Sequence, residues 1–242
     1  MSDSDRLWPT PQRSSVMRMS WHDLLFMHYR VPAATLSPQL PPGLTLDTFD
    51  GSAWIGVVPF RMSDVAPRCV PAMPWLSAFP ELNVRTYVTL EQKPGVWFFS
   101  LDATQPIAVR VARRFFHLNY LDAQITQHWE DGWCSYASRR THRGAAPAEL
   151  QLRYRGEGRP FQAAAGTLEH WLTARYCLYA NSRTGTLYRG EIDHPPWQLQ
   201  AAVAEIAKNT MLSALTAEIA AQQPHLLFAR ETRVRAWTNV RV

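Results

Sequence analysis

Glu81, Asn83, Arg85 and Tyr87 occupy alternate positions of the run PELNVRTYV. Side chains of a strand alternate between its two faces, so these four form one row, and Leu82, Val84, Thr86 and Val88 form the other. An acid, an amide, a base and a phenol in one row are the components of proton transfer and of polar ligand binding. If the sheet curls around an interior, burial raises the pKa of Glu81 and makes it a general acid or base near neutral pH. Asn83 and Arg85 then face the same ligand. Neighbours in the row stand ~7 Å apart and the whole spans ~20 Å, which suits a small polar molecule. If the sheet is open, the row is the solvated face of a half-buried strand.

Other residue types narrow the chemistry. Ser100 and Asp102, in VWFFSLDA, share a face, and strand pairing puts them either beside the Glu81 row or on a solvated edge. No serine sits in a nucleophile-elbow pattern, so a Ser-His-Asp hydrolase is not indicated. The eight histidines include no HxH or HxxxH pair. Hydrogen-bonding roles are expected for them, and no metal site. Cys69, Cys134 and Cys177 are odd in number and widely spaced, as befits reduced thiols. No cofactor is indicated.

The elements that must position the row are mostly strands. Trp21–Tyr29, Leu44–Phe49 and Ala53–Met62 read as strands, with Asp50-Gly51 as a hairpin turn. Lys93-Pro94-Gly95 reads as a turn before the returning strand VWFFSLDA, and a second Asp-Gly pair turns the strands of DAQITQHWEDGWCSYASRR. Ile107, Val111 and Phe115 recur at helical spacing after Pro106. TLEHWLTARYCLYA begins as helix and ends as strand at Cys177–Ala180, whereas residues 198–207 fit either. Trp54, Trp97, Trp129, Trp133 and Trp171 fall on apolar faces and read as core. Residues 1–19 read as a flexible arm and 20–242 as a single domain.

Composition excludes other classes. Net charge is +5, but the arginines are scattered and no nucleic-acid partner is expected. No apolar run reaches the ~18 residues of a membrane span, and no basic-then-apolar leader opens the chain, so a cytoplasmic protein with no membrane partner is expected.

The stretches SWHDLLFMHYRV, LPPGLTLDTFDGSAWIGVVPFRM, FPELNVRTYV, PGVWFFSLDA, VARRFFHLNY, LTARYCLYA and HPPWQLQ occur in the order and approximate spacing of the YqjF-like family of bacterial proteins. Over about residues 20–240 the chain resembles that family, which consists of a domain of unknown function. The family in turn resembles acetoacetate decarboxylase. That resemblance implies an α+β fold with a cone-like, curled antiparallel sheet around a cavity and a few flanking helices.

The decarboxylase motif is Gly-Arg-Glu followed by Pro-Lys-Lys-Leu-Ala, whose first lysine forms a Schiff base with a keto substrate. The similar run here is ARRFFHLNYLDA, in which Arg113 matches the motif arginine, Tyr120 the Schiff-base lysine and Leu121 its neighbour. Glu81, 39 positions before Tyr120, matches the upstream glutamate. Tyr29-Arg30 before Leu40-Pro41 matches a Tyr-Arg pair preceding a Leu-Pro turn. The resemblance thus implies Arg30 and Arg113 as carboxylate ligands, Glu81 as general acid or base, and Tyr120 as donor to a carbonyl oxygen, with His28, Asn83 and Arg85 contacting the substrate.

The amine is missing. Lys93 and Lys208 are the only lysines, and neither lies in the motif, so Schiff-base chemistry is not carried over. The expectation is a cavity protein for a small organic acid or carbonyl compound. It either transforms that ligand without a Schiff base or is a non-catalytic binding protein or ligand sensor. A homo-oligomer is compatible with both.

Overall fold

The computed structural model describes residues 5–213, 219 and 222–242. Among the described residues thirteen strands form one sheet. The first five are β1 (Met17–Val31), β2 (Thr45–Leu46), β3 (Ala53–Pro67), β4 (Phe79–Leu90) and β5 (Lys93–Ala103). Then come β6 (Tyr120–Glu130), β7 (Trp133–Arg140), β8 (Glu149–Phe161), β9 (Cys177–Asn181) and β10 (Leu187–Asp193). The last are β11 (Leu199–Asn209), β12 (His225–Ala236) and β13 (Val240–Arg241). The helices are short: α1 (Ala33–Leu36), α2 (Pro74–Ser77), α3 (Pro106–Phe115) and α4 (Leu168–Thr173). The segment 198–207, open between strand and helix by pattern, lies in β11 apart from its first residue.

Tight turns set the hairpins. Asp131 and Gly132 both take positive φ between the paired residues Glu130 and Trp133, the geometry of a two-residue hairpin. One turn differs from the sequence reading. Glu91 and Gln92, at φ 51° and 59°, join Leu90 to Lys93, and Lys93-Pro94-Gly95 belongs to β5. Gly95 has a different use. A Cβ there would stand 2.7 Å from the Cys177 sulfur, so its absence lets β9 approach β5.

The sheet closes on itself twice. One edge of β5 pairs with β4. Its other edge pairs with β9 at Val96–Trp97 and then with β6 at Leu101–Ala103. One edge of β12 pairs with β1, the other with β11 and then β10. A large ring therefore runs β1-β3-β4-β5-β6-β7-β8-β11-β12, and a smaller one β1-β3-β4-β5-β9-β10-β12. The sheet is curled as expected but mixed, not purely antiparallel. Both partners on β5's second edge are parallel to it, and a parallel pair needs a crossover, which α3 supplies between β5 and β6.

The shared wall β12-β1-β3-β4-β5 has an interior on each side, so both of its faces are buried. Residues 23–29 of β1 are all buried. Leu25, Met27, Ile55, Val57, Leu82 and Val84 pack into the large ring with Tyr136, Leu150 and Tyr154. Leu24, Phe26, Val58 and Phe60 pack into the small ring with Trp197. Burial at about 25 cal/mol per Å² makes these two clusters the main stabilising term.

Some expected features shift. Trp54, Trp97 and Trp171 are partly buried against the core, but Trp129 is exposed under the Arg230 guanidinium and Trp133 carries the Arg153 and Arg155 guanidiniums against its ring, both at the outer end of the β6–β7 hairpin. Ile107 of α3 is exposed, and the Val111 and Phe115 side chains lie outside the described residues. The segment read as a loose arm is tied down where described. Arg6 bonds Glu191 and the Ile192 carbonyl, Arg13 bonds Thr238, and β1 already begins at Met17.

Candidate functional site

The row on β4 lies on the small-ring face. Glu81, Asn83 and Arg85 stand opposite Phe60, Val58 and Gly56 of β3 in unbroken register. The extra residue at the β4–β5 junction is Phe99, on the β5 side, so β4 keeps its alternation. Glu81, Asn83 and Tyr87 are buried, and Arg85 is half-buried.

Glu81 is 2% exposed, and its Oε2 accepts a hydrogen bond from Tyr120 Oη at 2.7 Å. The Tyr136 hydroxyl donates to the Glu81 peptide oxygen at 2.8 Å. Burial pushes the Glu81 carboxyl up to about 8; the Tyr120 hydrogen bond opposes this and the nearby Asp102 charge adds to it. At neutral pH the carboxyl is mostly protonated. Burial, and then Glu81, hold the Tyr120 phenol well above its ordinary range, so the pair has a proton to give.

Arg85 and His28 meet over Gly56. A Cβ on Gly56 would lie 3.0 Å from the His28 ring, tight enough to press the imidazole aside, and 3.5 Å from Arg85 Cγ, an ordinary contact. His28 Nε2 is 2.6 Å from Tyr87 Oη, and its Nδ1 is buried without a partner. Burial, with Arg85 and His225 adding, lowers the His28 pKa well below its ordinary value and keeps the ring neutral. The Arg85 guanidinium lies 5.5 Å from the Phe26 ring and 5.7 Å from the Tyr87 ring. Its Nε is buried without a partner, and among the described residues no carboxylate pairs with it. Asn83 Oδ1 is likewise buried and unpartnered.

The other sequence-predicted residues lie elsewhere. Arg30 is exposed at the end of β1, where its Nε donates to Ser52 Oγ at 2.6 Å. Arg113 Nη1 donates to the Tyr120 peptide oxygen at 2.9 Å and stands 2.8 Å from His142 Nε2, whose ring also bonds Asp122. It braces the start of β6 rather than reaching the Tyr120 hydroxyl. Arg113 also lines a cleft of about 390 Å³ with Trp97, Asn119, Asn181 and Arg183, where β5 changes partner from β9 to β6. Ser100 and Asp102 pair with Val84 and Leu82, which places them on the large-ring face, away from the row. There Arg140 grips Asp102 through Nε and Nη2 at 2.7 and 2.8 Å.

Neither lysine approaches the row's position for an imine: Lys93 starts β5 beside the hairpin turn, and Lys208 pairs with Glu149 at the surface. Among the described residues no group of three His, Cys, Asp or Glu stands ready for a metal, and no helix is long and apolar enough to cross a membrane. Sequence reading missed Gly56, Tyr136, Arg140 and the His142–Asp122 brace. Gly56 carried a signal, since a glycine inside the apolar run WIGVVPF marks a close approach.

Comparison with known proteins agrees with this architecture. The family DUF2071, described as an uncharacterized conserved protein, matches residues 18–233. The uncharacterized protein YqjF of Bacillus subtilis (strain 168) is 41% identical over 222 residues, covering 92% of this chain and 90% of that one. Acetoacetate decarboxylase from Legionella pneumophila superposes with a TM-score of 0.65 at 13% identity, over 98% of this chain and 92% of its own. An acetoacetate decarboxylase-like enzyme from Sphingomonas wittichii RW1 gives 0.62 at 14%, over 100% and 99%. The enduracididine biosynthesis enzyme MppR, complexed with pyruvate, gives 0.62 at 12%, over 100% and 97%. At such identities the structural likeness concerns the fold. The family match and the 41% relative both span most of the sequence, and the chain belongs to the DUF2071 family, with an acetoacetate decarboxylase-like fold.

Proposed function

We propose that the small-ring interior binds a small organic acid or keto acid through Arg85, and that Glu81, backed by Tyr120, exchanges a proton with it. One observation carries this reading: a half-buried guanidinium whose Nε has no partner, on the same face as a protonated carboxyl. An unpaired cation in such a place is costly, and a ligand carboxylate removes the cost with charge-assisted hydrogen bonds. Glu81 then delivers its proton to a ligand carbon or oxygen, and the carboxylate left behind keeps the Tyr120 hydrogen bond. The pyruvate complex of MppR supports the ligand class, as a property of a protein of this fold.

Tyr120, which the sequence motif matches to the decarboxylases' amine, favours a second reading in which the acid is held and released unchanged. Analysis of the compound returned after incubation separates the two.

The binding step is tested by thermal shift with pyruvate and acetoacetate against their methyl esters. At a hundred times the dissociation constant, a native-state ligand adds about 2.7 kcal/mol, roughly 5–11 °C for a domain of this size. The acids are expected to shift the melting temperature and the esters not. Arg85→Met should abolish the shift and Arg113→Met should keep it. Equal shifts from acids and esters, or a shift that survives Arg85→Met, would remove Arg85 from the ligand.

A further inference from the structure

The cleft at the parting of β9 and β6 carries chemistry that the small-ring site does not use. On one edge β5 pairs with β9 as far as Trp97, and with β6 only from Leu101 onward. Among the described residues no strand covers that edge in between, where β5 has its bulge at Phe99. Both neighbours are parallel to β5, and the gap resembles the crevice between parting strands in which open parallel sheets take ligands. At about 390 Å³ the cleft is of ligand size. None of His28, Glu81, Asn83, Arg85 and Tyr87 lines it, so it is separate from the row.

Its charge is one-sided. Arg113, His117 and Arg183 line the cleft, and no aspartate or glutamate does. Arg183 is exposed in the turn after β9 and makes no hydrogen bond or ion pair among the described residues. Arg113 spends only Nη1, on the Tyr120 peptide oxygen and on His142. Asp122, the carboxylate of that cluster, bonds the histidine and not Arg113. Because Arg113 is half-buried, its charge is screened less than that of a fully exposed side chain and gains more from an anion.

The β5 residues that line the same cleft are Trp97, Phe98 and Phe99, none of them fully buried. Aromatic lining offers flat apolar area that a simple ion such as acetate or phosphate leaves uncovered. We propose that the cleft is a separate binding site for an organic anion with an aromatic body. Arg113 and Arg183 hold the carboxylate or phosphate ester, and Trp97, Phe98 and Phe99 hold the body.

The test is calorimetric titration of the intact protein at pH 7 with benzoate and phenyl phosphate, against acetate, inorganic phosphate and neutral benzyl alcohol. At least one aromatic anion is expected to bind about tenfold or more tighter than its simple counterpart, with benzyl alcohol silent. Which of the two binds better tells a carboxylate from a phosphate ester. Arg113→Met and Arg183→Met should each weaken that binding by about fivefold or more. Should Arg113→Met fail to fold, Arg183→Met, at an exposed turn, decides alone. Arg85→Met should leave the binding unchanged while abolishing the pyruvate shift, so the two sites fail separately. Benzyl alcohol binding as well as the anions would overturn the anion site, and simple anions binding as well would overturn the aromatic body. Affinity that ignores Arg183→Met, or is lost in Arg85→Met, would place the ligand elsewhere and end the proposal, as would no binding by either aromatic anion.

Discussion

The large and small rings share five strands yet treat buried polarity differently. On the large-ring face each buried tyrosine hydroxyl has a partner, Tyr136 donating to the Glu81 carbonyl, Tyr154 to the Asp23 carbonyl and Tyr29 accepting from Asn209, although Ser138 Oγ and Gln127 Oε1 on that face have none. Its buried carboxylates are paired, Asp102 gripped twice by Arg140 and Asp23 bonded by Arg230. On the small-ring face His28, Asn83 and Arg85 each keep a buried atom without a partner, and Glu81 retains a proton it would lose in water. Satisfied burial makes a scaffold. Unsatisfied burial, a few residues away on the same strands, costs stability, which a hydrogen-bonding ligand or an ordered water would return.

The largest test of this contrast lies at the scaffold. Asp102→Ala strands the Arg140 guanidinium and should cost about 3–5 kcal/mol in urea unfolding. A cost below about 1 kcal/mol would mean that the pair is merely superficial.

The second test is pH. Glu81 has a folded pKa of about 8 against an ordinary 4.5. The stability tied to its protonated form is therefore complete below the ordinary value and is lost as pH rises through 8. Glu81→Gln should remove up to about 4 kcal/mol of that decline between pH 5 and 8. His28 pulls the other way: its folded pKa is lowered, so its contribution is present above 6.5 and lost as pH falls. Unfolding curves of Glu81→Gln and His28→Gln across pH 4–9 check the signs, and an unchanged alkaline slope in Glu81→Gln would mean that Glu81 is ionised in the fold.

A paired substitution sharpens the comparison. Leu25→Ala, in the large ring, should cost about 2–5 kcal/mol. Asn83→Leu, in the small ring, should cost less than about 1 kcal/mol or stabilise, because it replaces an unsatisfied amide by a similar apolar volume. Similar losses for both would show that the small ring is ordinary core.

The smallest expected effect is none at all. Borohydride added with acetoacetate or pyruvate should leave the intact mass unchanged, since a phenol at Tyr120 forms no imine. A stoichiometric adduct on Lys93 or Lys208 would overturn this.

The row itself was legible because β4 is regular: period two survives from Glu81 to Tyr87, and only the question of which face lay inside needed the ring. Ser100 and Asp102 were equally regular, but pairing register, invisible in one strand alone, sets them on the opposite face. Matching Arg113 and Arg30 to motif positions left side-chain direction open. Arg113 turns back to the Tyr120 carbonyl and Arg30 runs out to Ser52. The hairpin at Glu91-Gln92 escaped notice because neither residue is a glycine, although both adopt positive φ. Parallel pairing of β5 with β9 joins segments far apart in sequence, and no local pattern announces it.

Closure of both rings through β12 governs the order in which this molecule can be made. As the chain leaves the ribosome, β1, β3, β4 and β5 are available early, but β1 stays an open edge until residues 225–236 arrive to pair with it. Until then neither interior is sealed, and the apolar residues of both wall faces meet solvent or one another. Nascent chains stopped before His225 should therefore be sticky and protease-sensitive, with the last long strand converting the whole wall to its native state in one late, slow step.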